Sequence, residues 1–534
     1  MIKIYDTTLR DGTQAEEISL LADDKVRIAR RLDAFGIHYI EGGWPGSNPK
    51  DFSFFNKIKK VELKYAKVTA FGSTRKLENQ AEQDPNLKAI IESGVQVATI
   101  FGKSWDFHVL NALHISLSEN LTIIEDSLAF LNQHMEEVFY DAEHFFDGFK
   151  NNRDYALDTL RAAQRGGAQC LILCDTNGGT LPDELIAIID IVRQELGDKI
   201  SLGIHTHNDS ETAVASSLLA VRHGITQVQG TINGFGERCG NANLTSIIPN
   251  LQIKMGYNVI NPENLSQLAS LSRYVDEITN KRHSRHLPFV GRSAFAHKGG
   301  IHVSAVQKNP CTYEHIDPET VGNKRRVLVS DLSGRSNIIY KAKEYNLDLG
   351  SKKDTEEILK RIKDLEEKGF QFEGAEASFE LLVKKTTGTY KPIFTFKGFR
   401  VMVNKFRHDR PPLTEATVMI EVGGVIEHTA SVGEGPVDAL NLALRKALEK
   451  FYPDLKNVKL EDYKVRILSS DKGTSSITRV LIESKDDQGN KWGTVGVSNN
   501  IIEASWQALV DGIEYKYMQK GSGNATTHSH PDHQ

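Results

Sequence analysis

Along the first half of the chain one phrase recurs: a short apolar run, a polar or glycine-containing loop, then a stretch with helical periodicity. The runs predict strands at Ile2–Tyr5, His38–Glu41, Lys67–Phe71, Gln96–Phe101, Glu137–Asp141, Cys170–Cys174, Ser201–His205 and Gln227–Thr231. Between them lie amphipathic helices such as Asp23–Phe35, with Val26, Ile28, Ala29 and Leu32 apolar, and Asp154–Arg165. Another helix begins at Pro182-Asp183-Glu184, with proline in the first turn and acids at the positive end of the dipole. Eight strands separated by helices over roughly 250 residues predict an α/β fold, a (β/α)8 TIM barrel over residues 1–257. An open doubly wound sheet is the rival, but it rarely reaches eight even units and usually shows a Gly-rich dinucleotide turn.

The rhythm then changes. Residues 258–369 read as a helical connector, in which 354–368 forms a charged helix with Ile358, Ile362 and Leu365 on a stripe docked against its own domain. Residues 370–520 read as an α+β domain with an internal repeat. Thr429–Tyr452 aligns without a gap on Thr494–Tyr517, matching Thr429 with Thr494, Val432 with Val497, Ala443 with Ala508 and Tyr452 with Tyr517. Each copy reads as strands, a small-residue loop and a helix, an arrangement whose helix N-termini suit a carboxylate; a ligand-free dimerisation domain is the plainer reading. Residues 521–534 read as a disordered polar tail in which His528, His530 and His533 are solvated.

Composition narrows the classes. Of 534 residues 39% are apolar and 25% charged, with a formal net charge of −5, which leaves no electrostatic footprint for nucleic acid or an anionic membrane. No apolar run approaches the roughly 20 residues of a membrane span. Four cysteines at irregular spacing exclude a disulfide framework and fit a reducing cytoplasm, with Cys170 and Cys174 as small buried hydrophobes.

Chemistry in such barrels sits where strands end. His205 and His207 share a face of one strand, and with Asp11 at the end of another they make a two-histidine, one-carboxylate set that leaves positions open for water and substrate. Asn241 adds a neutral oxygen. Mg2+, Mn2+, Zn2+ and Fe2+ all suit such a site, whereas a hydrogen-bonded pair of core histidines needs none. Arg10, always charged, can neutralise an enolate or carbonyl oxygen, or merely close the barrel mouth in a salt bridge. Thr176 and Gln14 offer donors to a small carboxylate or serve as turn residues. Glu143 orients water or carbonyl at the metal, or supports His205. The glycines of Gly234–Ala242 let backbone approach a ligand, but the loop lacks a Walker Gly-Lys-Ser/Thr. His302 and Tyr313 by composition alone are turn residues.

Three motifs, Asp-Thr-Thr-Leu-Arg-Asp-Gly-x-Gln at 6–14, His-Thr-His-Asn-Asp at 205–209 and Gly-x-Gly-Glu-Arg-x-Gly-Asn-Ala at 234–242, together resemble the acyl-CoA-using Claisen condensation family. That family includes 2-isopropylmalate, homocitrate and citramalate synthases and is related to hydroxymethylglutaryl-CoA lyase; the resemblance spans residues 1 to about 520. It implies a divalent metal (Mg2+, Mn2+ or Zn2+) held by Asp11, His205, His207 and Asn241, with acetyl-CoA as co-substrate. It implies Arg10 as electrostatic catalyst and substrate contact, Glu143 and Thr176 in the keto-acid pocket, and Gln14 nearby. His302 and Tyr313 match positions that reach a neighbouring protomer's site and take part in acetyl-CoA deprotonation, which implies a homodimer. The C-terminal repeat then becomes an end-product feedback domain. The stretches 293–306, 329–337 and 101–106 resemble the branch that accepts pyruvate, with isoleucine as effector; Trp105 and Phe107 would shrink the acceptor pocket or pack in the core. The alternatives are an isopropylmalate synthase using 2-ketoisovalerate, a carbon–carbon lyase on the same barrel, and an amino-acid sensor with a vestigial barrel.

Overall fold

The protein is described by a computed structural model covering residues 2–197, 199–330, 332–468 and 475–521. The expected tail, with His528, His530 and His533, lies outside the described residues apart from Gly521. Two compact units are present: Met1–Phe295 with Ile316–Arg325, and Ala296–His315 with the chain from Arg326 onward. The stretch read as a connector is thus divided between them.

In the first unit eight parallel strands close into a barrel in sequence order: β1 Lys3–Asp6, β2 Tyr39–Gly43, β3 Lys67–Ser73, β4 Val97–Lys103, β5 Glu137–Glu143, β6 Cys170–Asp175, β7 Ser201–Thr206 and β8 Gln227–Gly230. Closure comes from β1 pairing with β8, Lys3 opposite Gln227 through Asp6 opposite Gly230. The predicted barrel is present, but β2 to β7 run further than their apolar residues, β4 and β5 reaching Lys103 and Glu143 side by side. Backbone pairing does not need apolar side chains, so the ladder continues through the polar rim.

Outside the barrel, Ile28 and Leu32 of the helix Ala22–Phe35 are fully buried between helices and strands. That helix ends at Gly36, whose φ of +101° is the left-handed stop glycine supplies. Inside, Tyr5, Tyr39, Val97, Phe139, Cys170, Ile172 and Cys174 fill the lower barrel. Alternation along each strand sends the next inward residues up to the mouth.

The second unit begins with a short parallel pair, β9 Ala296–His297 and β10 Arg326–Val327. The helix Lys352–Glu367 buries Ile358 and Ile362 against Val329, Ile338, Phe372 and Phe379, with Leu365 partly covered, as its stripe predicts. Two three-stranded antiparallel sheets follow: β11 Thr395–Asn404, β12 Leu413–Val422 and β13 Val425–Gly433, then β14 Lys459–Ile467, β15 Thr478–Lys485 and β16 Lys491–Ser498. Helices Pro436–Leu448 and Ile501–Gly521 complete them. The repeat extends to single hydrogen bonds. Thr429 Oγ1 donates to Ala443 O at 2.7 Å and Thr494 Oγ1 to Ala508 O at 2.8 Å. The first strand of each sheet is irregular at the matching place, between Phe396 and Gly398 and between Leu460 and Asp462. Tyr452 and Tyr517 meet ring to ring at 4.7 Å.

Candidate active site

Every strand of the barrel delivers polar side chains to the C-terminal rim. Asp11 sits in the turn Asp11–Gln14 after β1, where Arg10 N and Gly12 N both donate to Thr7 O. His205, on β7, lies with Nε2 3.3 Å from Asp11 Oδ2, and His207 Nε2 is 4.0 Å from the same oxygen. The two imidazole Nε2 atoms are 3.3 Å apart. All three residues are buried, and their ligating atoms lie within 4.8 Å of one another. Two motifs remote in sequence therefore meet.

Asn241 joins them through backbone pairing. The loop after β8 folds back on the end of β7: Ala242 N donates to Thr206 O, Asn208 N to Gly240 O, and Asn241 faces His207 across an antiparallel bridge. Gly236 is needed there, because a Cβ would stand 2.2 Å from Asn241 Nδ2. Asn233 takes a left-handed φ of +62° and anchors the same loop from behind, donating to Ser272 O and Asp276 Oδ1.

Electrostatics favour a cation at this point. Burial alone would push the Asp11 carboxyl up, but Arg10 and His205 outweigh it and hold it well below the usual range. Burial, and then the neighbouring His205, bring His207 down to about 4, so that ring is a neutral ligand at neutral pH. Burial also pulls His205 down, yet the Asp11 carboxylate overrides it and draws a proton to the ring; a metal ion would take that proton's place. Asn241 Oδ1 and His207 Nδ1 are buried without a hydrogen-bond partner. An orphaned acceptor beside two imidazoles and a carboxylate fits a divalent ion with mixed nitrogen and oxygen ligands.

Arg10 takes up the salt bridge that was its plainer reading. Its Nε donates to the buried Glu41 Oε1 at 2.6 Å, its NH1 lies 3.6 Å from Asp11, and its guanidinium carbon stands 3.9 Å over the Phe71 ring. Glu143 forms an ion pair with Lys103 rather than supporting His205. Thr176 Oγ1 accepts from His144 N at 2.9 Å, a turn-capping bond that leaves its own hydroxyl proton unused. Gln14 is exposed at the end of its turn. Phe107 is 52% exposed, and Trp105 packs its ring at a tilt against Phe107, His108 and His144 instead of entering the core. His302 and Tyr313 belong to the second unit, where their exposed rings stack at 4.2 Å.

Sequence reasoning did not assign roles to four further side chains here. Glu41 and Phe71 fix Arg10. Gln229 Oε1 meets His205 Nδ1 at 2.8 Å, and Gln229 Nε2 donates to Asp141 Oδ1 at 3.2 Å. A signal existed: Gln227, Gln229 and Thr231 alternate with Val228 and Gly230, a polar set on the inward face of a barrel strand.

Known proteins carry the same organisation. Residues 1–275 match the HMGL-like family, 289–369 the homocitrate synthase post-HMGL domain-like family, and 373–517 the LeuA allosteric (dimerisation) domain. An (R)-citramalate synthase of Geobacter sulfurreducens is 62% identical over 97% of this chain and 97% of its own length. The (R)-citramalate synthase of Aquifex aeolicus is 56% identical, over 97% and 98%. A 2-isopropylmalate synthase of Methanocaldococcus jannaschii is 30% identical over 96% and 94%. With Asp11, His205 and His207 convergent and this likeness running nearly end to end, the chain belongs to the (R)-citramalate synthase family, HMGL-like acyltransferases with a LeuA-type C-terminal domain.

Proposed function

We propose that this enzyme condenses acetyl-CoA with pyruvate to give (R)-citramalate and free CoA. The convergence of Asp11, His205 and His207 beside Arg10 carries the reading, and full-length identity to citramalate synthases supports the choice of acceptor. Asp11, His205, His207 and Asn241 would hold the divalent ion, Mg2+, Mn2+ or Zn2+. When bound, that ion supplies Lewis-acid polarisation of the acceptor's keto group.

The chain's own groups do the rest. Arg10, held by Glu41 and Phe71, keeps its terminal guanidinium N–H groups toward the mouth, where they can stabilise the alkoxide that forms on the keto oxygen. Thr176 can donate its free hydroxyl proton to the pyruvate carboxylate, with Gln14 at the rim and Glu143, paired to Lys103, bordering the pocket. A base removes a proton from the acetyl methyl group, and the resulting carbon attacks the keto carbon of pyruvate. The alkoxide is protonated, and water then cleaves the thioester, releasing CoA. His302 and Tyr313, stacked and exposed, are the pair assigned to methyl deprotonation, reaching the site of a neighbouring subunit in a homodimer. The duplicated C-terminal domain is the seat of feedback by isoleucine. A cytoplasmic setting belongs to this reading and agrees with four unpaired cysteines. Among the described residues no helix is long and apolar enough to cross a membrane.

Thiol release from acetyl-CoA with a panel of keto acids tests the proposal. Release with pyruvate alone supports it; comparable release with 2-ketoisovalerate makes the enzyme an isopropylmalate synthase. No release with any acceptor favours a lyase or a sensor. Inhibition of the pyruvate reaction by isoleucine, and not by leucine, tests the regulatory half.

A further inference from the structure

A metal-binding histidine must present a lone pair, and which ring nitrogen has it depends on what the other nitrogen meets. His205 turns Nε2 toward Asp11 Oδ2 and His207 Nε2. Its Nδ1 faces Gln229 Oε1 at 2.8 Å. Gln229 has 0% exposure, and its Nε2 donates to Asp141 Oδ1 at 3.2 Å, Asp141 being 4% exposed. That second bond decides which way the amide lies: the amino group is committed to Asp141, so the oxygen is committed to His205. The three side chains come from β7, β8 and β5, all on the inward face, and no loop is involved.

From this geometry we infer that Gln229 and Asp141 are positioning residues for metal binding. Asp141 orients the Gln229 amide, and Gln229 holds the proton of His205 on Nδ1, keeping Nε2 open as the ligand. Neither residue touches substrate or ion. The chain reaches from the wall of the barrel at β5 across its interior to the mouth, so the ligand's orientation is set by strands that cannot move without opening the barrel. An amide also does here what a carboxylate would do elsewhere, without adding a further acid to an interior already holding Asp6, Glu41 and Asp141.

This rests on the proposed metal site, and the two fail separately when binding is measured with Mn2+ alone. Gln229→Met keeps the length of the side chain and removes both polar atoms. It is expected to weaken Mn2+ binding by on the order of ten- to a hundred-fold. Asp141→Leu, which leaves the Gln229 amino group without its acceptor, is expected to weaken Mn2+ binding in the same direction, by on the order of tenfold. Binding by that variant within threefold of the original would remove Asp141 from the inference. A Gln229→Met enzyme that is folded by circular dichroism and binds Mn2+ within threefold of the original overturns the inference and leaves the metal site standing. An original enzyme that binds no Mn2+ overturns both. Should Gln229→Met fail to fold, the unsubstituted enzyme decides: 15N spectra of histidine-labelled, Mg2+-loaded protein, assigned with His205→Asn, should show the His205 proton on Nδ1. A proton on Nε2 alone overturns the assignment.

Discussion

Glu41 Oε1 accepts a 2.6 Å hydrogen bond from Arg10 Nε, while the other oxygen of Glu41 accepts from Tyr5 OH at 2.7 Å. A fully buried carboxylate from β2 thus fixes the direction of a guanidinium that β1 carries to the mouth. The Phe71 ring beneath completes the clamp. Lysine has neither the planar fork nor the flat face for these contacts. Arg10→Lys is expected to lower kcat about a hundredfold with an unchanged circular dichroism spectrum. Glu41→Gln, which keeps one acceptor, should lose on the order of tenfold. Steady-state kinetics with pyruvate and acetyl-CoA read both.

His207→Ala removes a ligand from the proposed ion site without disturbing the lower barrel core. Turnover should fall below detection while the far-ultraviolet spectrum stays that of the parent. Chelation of divalent ions should likewise abolish turnover in the parent enzyme, with recovery on adding Mg2+, Mn2+ or Zn2+. Normal turnover by the His207→Ala enzyme would remove the ion from the reading.

At the other end of the barrel, His38 Nδ1 accepts a 3.1 Å bond from Ile4 N, a bond only the neutral ring can accept. Burial, then the nearby Lys3, lower this imidazole from its ordinary value to about 4. The folded value lies below the unfolded one, so between about pH 6.5 and pH 4 the unfolded chain binds the proton first. Stability is therefore lost as pH falls through that window, His38 contributing on the order of 1–2 kcal/mol after allowance for its partial exposure. Urea melts at pH 7 and pH 4.5 should show a smaller difference for His38→Asn than for the parent.

The paired threonines of the C-terminal repeat provide a matched experiment. Each donates its hydroxyl to a helix carbonyl, Ala443 O or Ala508 O, from an equivalent strand position. Thr429→Val and Thr494→Val should each cost about 1 kcal/mol, and the two costs should agree within about half of that. Denaturant titration of the full chain measures them. A silent change at one site only would show that the halves share a pattern without sharing energetics.

Much of this was written locally. The eight strands, the helix Ala22–Phe35 and the repeat around Thr429 and Thr494 follow from the spacing of apolar residues, because a period of two or of 3.6 is a property of neighbouring positions. The strand ends beyond Glu41, Phe101 and Asp141 did not, since pairing of backbone with backbone continues where apolar residues stop. Gln229 carried only a weak signal. An inward polar residue on a strand announces that something polar faces it, and says nothing of which residue that is.

The sequence by itself determined the barrel, the duplicated terminal domain, and the residue types offered at the rim: Arg10, Asp11, Glu143, Thr176, His205, His207 and Asn241. Tertiary structure decided which of them meet and what holds them. Asp11 reaches His205 because β1 closes against β8. Asn241 reaches His207 because the loop beyond β8 pairs with the end of β7, and Glu143 went to Lys103 because their strands lie in register. Local pattern sets which face a side chain takes, but only closure and register bring faces from distant strands to within a few ångströms of each other.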